Sequence, residues 1–310
     1  MATLQKRQQT PSQARCVEPL AGASPTAAPI LTYLCGWVPG SDLGTGRPVP
    51  ARIDNHLVGG KDAFPVDRAA ADQLAKATPT LAKALQARRR FVVRALRHLA
   101  RDVQVQDYLI IGAGLPSRPH LHGVVREEAS GARVVHVEHD LIVLSHLRAE
   151  LVGHPDQLTV TRGRLSDPQH ILASTAVRSL LTPARPVAVV LESLLEYISD
   201  EEDPQALLAE LMQGLPPGSW LIVSHATADF APATWQTISA IYQSHGIKIF
   251  PRSRERLAAL MSSVELADPG LTMVNQWRPD VEALSELDDV TVSRYGALGR
   301  LGLPAAGGAR

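Results

Sequence analysis

Five short segments, at residues 107–111, 133–138, 158–162, 186–191 and 218–224, read as strands, each followed by a turn and most by a stretch of helical periodicity. This alternation predicts βαβ units and a largely parallel sheet, an α/β fold. In open sheets of this kind ligands bind beyond the carboxyl ends of the strands. The strand tips are therefore where a site is to be sought.

The first tip lies in LIIGAGLPSRPH, residues 109–120, where the apolar run breaks at Gly112-Ala113-Gly114 before a helix predicted to begin near Leu121. Glycines at such a turn let the backbone approach a ligand closely, and the following helix offers it unpaired N–H groups. The loop has no third glycine for G-x-G-x-x-G and no Gly-Lys-Ser/Thr, so a classical dinucleotide or ATP site is poorly supported. The second tip carries Glu138-His139-Asp140, about 25 residues further on, near the spacing at which an acid takes a ribose hydroxyl pair. An exposed strand-end charge is the alternative for Glu138. Together the two tips describe one nucleoside site.

With 310 residues, 45% of them hydrophobic, the chain can bury the core of one large domain, or of one domain with an appendage. Lys+Arg and Asp+Glu number 31 each, so nothing electrostatic argues for a nucleic-acid or acidic-membrane partner, and a small molecule is the better default. Cys16 and Cys35 form neither metal-ligand spacing nor a disulfide framework, which fits a reducing cytoplasm and gives no reason to expect a metal. Residues 1–50 read as a loose arm whose apolar patch, Ile30 to Val38, is too short to span a bilayer. Residues 51–101 read as a helical cap, with Leu74, Leu81, Leu85, Val92, Leu96 and Leu99 at mostly helical spacings. Within it Arg88 to Arg90 are expected on a solvated face. Residues 102–300 form the sheet domain, and 301–310 a frayed tail.

The segments ARIDNHLVGGKDAFPVDRAAADQL (51–74), IGAGLPS (111–117), HVEHD (136–140), LPPGSWLIVSHAT (215–227), PRSRERLAALM (251–261), DPGLTMVNQWRPD (268–280) and RYGALGR (294–300) occur in that order. This ordered set, with its R-x-x-N-x-L-x-GGKD-x-F opening, resembles an S-adenosylmethionine-dependent methyltransferase family common in high-GC bacterial genomes, over roughly residues 50 to 300. The resemblance implies a class I, Rossmann-like fold: a mostly parallel seven-stranded sheet with one antiparallel strand and helices on both faces. Its last strands would be Leu271 to Trp277 and Val290 to Ala297, after a helix at Ser253 to Ser263. It also implies S-adenosylmethionine as cofactor, S-adenosylhomocysteine as product and a small-molecule acceptor, with secondary metabolism as the setting, and it leaves a homodimer open.

Carried over position by position, the resemblance gives Gly112, Ala113 and Gly114 to the methionine part of the cofactor and Glu138 to the ribose. His139, Leu165, Glu192, Ser193 and Lys61 complete the expected cofactor-binding set. Three positions depart from the family pattern. Ile110 stands where relatives place an aspartate, Gly123 follows His122 in place of a glutamate, and Arg164 occupies the place of the acid that commonly faces the adenine amino group. Either Ile110 simply packs, in which case Ile110→Asp should be tolerated by the pocket, or the pocket was rebuilt.

Glu192 and Glu196 lie at i, i+4, the spacing that would put both on one face of a helical turn, where they could balance a sulfonium or merely be solvated helix-start acids. The catalytic candidates are His225, Glu196 and Tyr197, with Asp229 and Tyr242 weaker; His225 is a general base or a turn histidine satisfied by neighbouring backbone. Trp235, Tyr242, Phe250 and Trp277 could supply apolar walls for an acceptor. The charged segment around Val58 to Asp62 reads as a lid turning at Gly59-Gly60, against the alternative of a static helix stop. Two further functions stay open at this point: a cofactor-binding regulator without turnover, and a non-methylating enzyme that cyclises, cleaves or rearranges a ligand in such a pocket.

Overall fold

The structure, a computed structural model, describes residues 43–150, 158–181, 185–279 and 287–302. The expected arm up to residue 42, with Cys16 and Cys35, and the tail from residue 303 lie outside the described residues. Five parallel strands, β1 (Asp107–Ile111), β2 (Arg133–Glu138), β3 (Leu158–Arg162), β4 (Val187–Glu192) and β5 (Trp220–Ala226), run in the order β3-β2-β1-β4-β5. Two short pieces follow, β6 (Glu265–Leu266) and β7 (Thr272–Met273), and then β8 (Arg294–Arg300), which pairs antiparallel with β5. Both short pieces pair with β8, one against Arg300 and Gly299 and the other against Gly296 and Tyr295. They share one edge position, so eight strands fill the seven positions of a class I methyltransferase sheet.

β1 and β4 are buried along their whole length, as strands covered on both faces must be, and this is why they read as unbroken apolar runs. The exceptions are Glu192 at the end of β4 and Asp107 at the start of β1. Asp107 is fully buried and completes its own ion pairs, its carboxylate accepting from Arg133 (2.7 Å) and twice from Arg185 (3.0 Å each).

The end of the chain differs from expectation. A strand over Leu271 to Trp277 does not form, because Arg94 donates to the carbonyls of Val274 (2.6 Å) and Trp277 (3.0 Å) while the chain turns back on Met273. The last strand starts at Arg294 rather than Val290, because Asp288 caps a short helix at Asp289–Val292 by accepting from Thr291 N at 2.7 Å. The preceding helix is Arg254–Leu260, capped by Ser253.

The N-terminal region forms three helices, α1 (Pro50–Leu57), α2 (Pro65–Ala77) and α3 (Leu81–Arg97). α3 lies in the main core. Its Phe91, Val92, Ala95 and Leu96 are buried against the sheet, and a Cβ at Gly296 of β8 would stand 2.8 Å from the Phe91 ring. α1 and α2 instead join the helix Pro232–Ser244 in a second cluster that contains Ile53, Ala70, Ala71, Leu74, Trp235, Ile238 and Tyr242.

The segment singled out for its charges is held from within. Arg52 is fully buried; its Nε meets Asp67 Oδ1 at 3.2 Å, and its terminal nitrogen donates to the carbonyls of Gly44 (3.0 Å) and Arg47 (2.7 Å). Asn55 holds the glycine turn, accepting from Asp62 N at 3.1 Å through its side chain and from Gly60 N at 2.7 Å through its carbonyl. Among the described residues no helix is long and apolar enough to cross a membrane.

Candidate functional site

Four strand tips and α1 enclose a cavity of about 950 Å³. At the β1 tip, Gly112 and Gly114 take φ of +64° and +73°, which side chains resist. Space is short for one as well: a Cβ would lie 2.7 Å from the Leu194 side chain at Gly112 and 3.2 Å from Ala51 of α1 at Gly114. The glycines thus bring bare backbone to the cavity wall. At the β2 tip, Glu138 is 5% exposed and its Oε1 accepts from the backbone N–H of His139 (2.7 Å) and Asp140 (3.3 Å). Burial alone would raise its pKa, but the His139 ring and these two amides outweigh burial and hold it below the usual carboxylate range. A charged acceptor therefore waits at a strand tip, not a solvated surface acid.

At the β4 tip Glu192 accepts from Arg88 Nε at 3.0 Å and from Arg89. Arg88 also donates to Asp54 of α1 at 2.9 Å, and Arg89 to Ser117 Oγ of the glycine loop at 2.9 Å. Burial would raise the Glu192 pKa, and the two guanidinium groups bring it down instead. The expectation of a solvated Arg88 to Arg90 face is corrected here: only Arg90 is exposed, while Arg88 and Arg89 line the cavity. Arg88 follows Ala84 and Leu85 and precedes Val92 at helical spacing, on the buried stripe of α3, and that phase was the signal in the sequence.

Gly112, Ala113, Gly114, Glu138, His139, Leu165, Glu192, Ser193 and Tyr197 all line this one cavity. Lys61, Glu196 and His225 do not. Lys61 is exposed beside a turn whose Gly60 and Asp62 do reach the wall. Glu192 and Glu196 do not share a helical face, because Glu192 ends β4, Ser193 is left-handed at φ +53°, and Glu196 sits in the turn Leu195–Tyr197. Glu196 is fully buried, accepting from Arg294 (3.1 and 3.2 Å) and from Ala226 N (2.8 Å). His225 is also fully buried; Nδ1 bonds the Ala226 carbonyl at 2.6 Å, and Nε2 lies 3.1 Å from Arg252. Burial pulls its pKa down to about 4, and the histidine is a satisfied core residue rather than a base at a reacting centre.

Tyr197 lines the cavity, but burial raises its pKa well above 10, so at neutral pH its hydroxyl keeps its proton and is no base. Asp229 is engaged by Arg254 N (2.9 Å) and Tyr295 (3.0 Å). Trp235, Tyr242, Phe250 and Trp277 are not wall residues; Leu85, Val58, Ile198 and Ile247 are. Of the three departures, Ile110 is fully buried in the core and His122-Gly123 lies off the cavity, so only Arg164 touches it.

A sequence model of the S-adenosyl methyltransferase family matches residues 38–302. Among solved structures, a DUF574 family protein from Streptomyces avermitilis MA-4680 is 31% identical with a TM-score of 0.80, covering 84% of this chain and 100% of its own. A candidate methyltransferase from Thermobifida fusca YX is also 31% identical, with a TM-score of 0.78 over 85% of this chain and 98% of its own. No curated protein matches the chain. The chain belongs to the S-adenosyl methyltransferase family, and it is a class I, Rossmann-like methyltransferase whose cofactor is S-adenosylmethionine.

Proposed function

We propose that this cavity binds the cofactor across the strand tips and that the chain transfers its methyl group to a small-molecule acceptor in the same cavity. The observation that carries this reading is the pairing of a buried, ionised Glu138 with two side-chain-free, left-handed glycines on one wall. A carboxylate suits a ribose diol, and bare backbone suits the methionine arm. The volume, near the upper end for small-molecule sites, leaves room for an acceptor beside the cofactor.

S-adenosylmethionine, when bound, supplies a methyl group already activated by its sulfonium. What the chain adds is alignment and exclusion of water. In this reading Glu138 anchors the ribose, with His139 beside it, and Gly112 to Gly114 border the methionine arm. Leu165 provides an apolar surface at the base end. Glu192 and Ser193 form the wall at the β4 tip, where Arg88 and Arg89 already neutralise the Glu192 charge, so its part is to fix the wall rather than to pair with a sulfonium. Tyr197 would offer its hydroxyl to the acceptor.

Calorimetry with S-adenosylhomocysteine tests this reading. Glu138→Ala should weaken binding by about 1.5–3 kcal/mol for each ribose hydrogen bond lost, tenfold or more, with the melting curve little changed. Unchanged affinity in a folded variant would remove Glu138 from the site. A second expectation concerns the glycine turn. Any Cβ at Gly60 would run into the Asn55 side chain, so Gly60→Val should displace Asn55, lower the melting temperature and weaken S-adenosylhomocysteine binding together. A wall fixed in this way predicts that residues 52–68 resist limited proteolysis equally with and without S-adenosylhomocysteine. Protection that appears only with the ligand would restore the lid.

A further inference from the structure

The sheet order β4-β1-β2-β3 places four tips in a row: Glu192, then Gly112 to Gly114, then Glu138, then the turn 163–166. An extended cofactor with its ribose at Glu138 and its methionine arm at the glycines must carry its purine to the β3 end. There the wall is Gly163, Arg164, Leu165 and Ser166. The Arg164 side chain is exposed and makes no hydrogen bond or ion pair among the described residues. Asp167 is not part of the wall and is committed elsewhere, since its Oδ1 accepts from His170 N at 3.0 Å as a helix cap. The Arg164 carbonyl is likewise taken, by Asp167 N at 3.0 Å.

A guanidinium is all donor, with five N–H groups and no acceptor. The 6-amino group of adenine is also a donor, so the two cannot pair. The 6-oxygen of a hypoxanthine-type base is an acceptor and can. We propose that Arg164 sets the base preference of this site, which accepts 6-oxopurine nucleoside ligands alongside 6-aminopurine ones. A site with a carboxylate at this edge disfavours the oxo base, because two acceptors would face each other. The inference rests on the cofactor placement proposed above and deepens it.

The test compares dissociation constants for S-adenosylhomocysteine and S-inosylhomocysteine by calorimetry, in the wild type and in Arg164→Asp and Arg164→Lys. Arg164 is exposed, so these variants should fold. The expected result is that the wild type binds the two ligands within about tenfold of each other. Arg164→Asp should swing the ratio towards the adenosyl ligand by about tenfold or more, and Arg164→Lys, which keeps a cationic donor, should hold the wild-type ratio. Rejection of the inosyl ligand by more than about tenfold in the wild type, or a smaller swing in Arg164→Asp, overturns the proposal while S-adenosylhomocysteine binding still stands. Binding of neither ligand overturns the cofactor placement itself, and this inference with it.

Discussion

Glu196→Ala is expected to lower the free energy of unfolding by about 3–5 kcal/mol, because it strands Arg294 in the interior. Arg294 is 3% exposed, and the bonds that engage its guanidinium are those to Glu196 and Ser193 Oγ (3.0 Å). The same change leaves Ala226 N without its acceptor. Glu196→Gln, which keeps the shape and an acceptor oxygen but not the charge, should lose less. The sign of the pH dependence follows from the Glu196 pKa. Burial would raise it, but Arg294 above all, then His225 and the Ala226 amide, lower it below its unfolded value. Its contribution is therefore full above about pH 4.3 and fades as pH falls through the folded value. Urea unfolding at neutral pH and again near pH 3 should show the gap between wild type and variant narrowing in acid. S-adenosylhomocysteine affinity measured under folding conditions should change little. An unchanged midpoint joined to lost ligand binding would return Glu196 to the site.

Asp67→Ala should cost a similar amount, about 3–5 kcal/mol. Asp67 is fully buried and accepts three times: from Arg52, from Val49 N (2.9 Å) and from Phe64 N (2.9 Å). It thus closes the N-terminus of α2 and neutralises a guanidinium that has no route to water. Truncation would leave Arg52 on two carbonyls, the Phe64 ring at 5.2 Å and the more distant Asp140 carboxylate at 3.8 Å. Because Asp140 follows the Glu138 tip, the damage should spread to ligand affinity as well as to the melting temperature. Chemical denaturation read beside S-adenosylhomocysteine binding would check both, and a variant as stable as the wild type would show that the pair contributes nothing net.

Strand positions were most legible where the strand is buried on both faces, as in β1 and β4, because burial is what hydrophobic pattern records; the partly exposed β3 was legible from its place in the alternation instead. β1, β2 and β3 lie where their runs predict them, and β4 and β5 are displaced by one or two residues. The edge position was not legible as two pieces. Its interruption depends on Arg94, about 180 residues earlier in the chain, reaching the carbonyls of Val274 and Trp277. Ile110 shows the same limit. A pattern marks it as a departure at a cofactor position, yet it packs in the core, so the pocket tolerance expected of Ile110→Asp has no pocket contact to rest on.

The sequence by itself determined the parallel sheet, the neighbouring tips that carry two glycines and a carboxylate, and the family, because each is written in local periodicity or in short contiguous motifs. Helical phase places Arg88 on the buried stripe of its helix, but tertiary structure decided which charges pair at the cavity and which pair away from it. Arg88 and Arg89 turn inward because Glu192, more than a hundred positions away, stands at the neighbouring strand tip, whereas Glu196 turns to Arg294 and His225 to Arg252. A buried charge is stable only beside a partner that sequence distance does not reveal, and so the same residue types read alike on the page while their roles are divided by the fold.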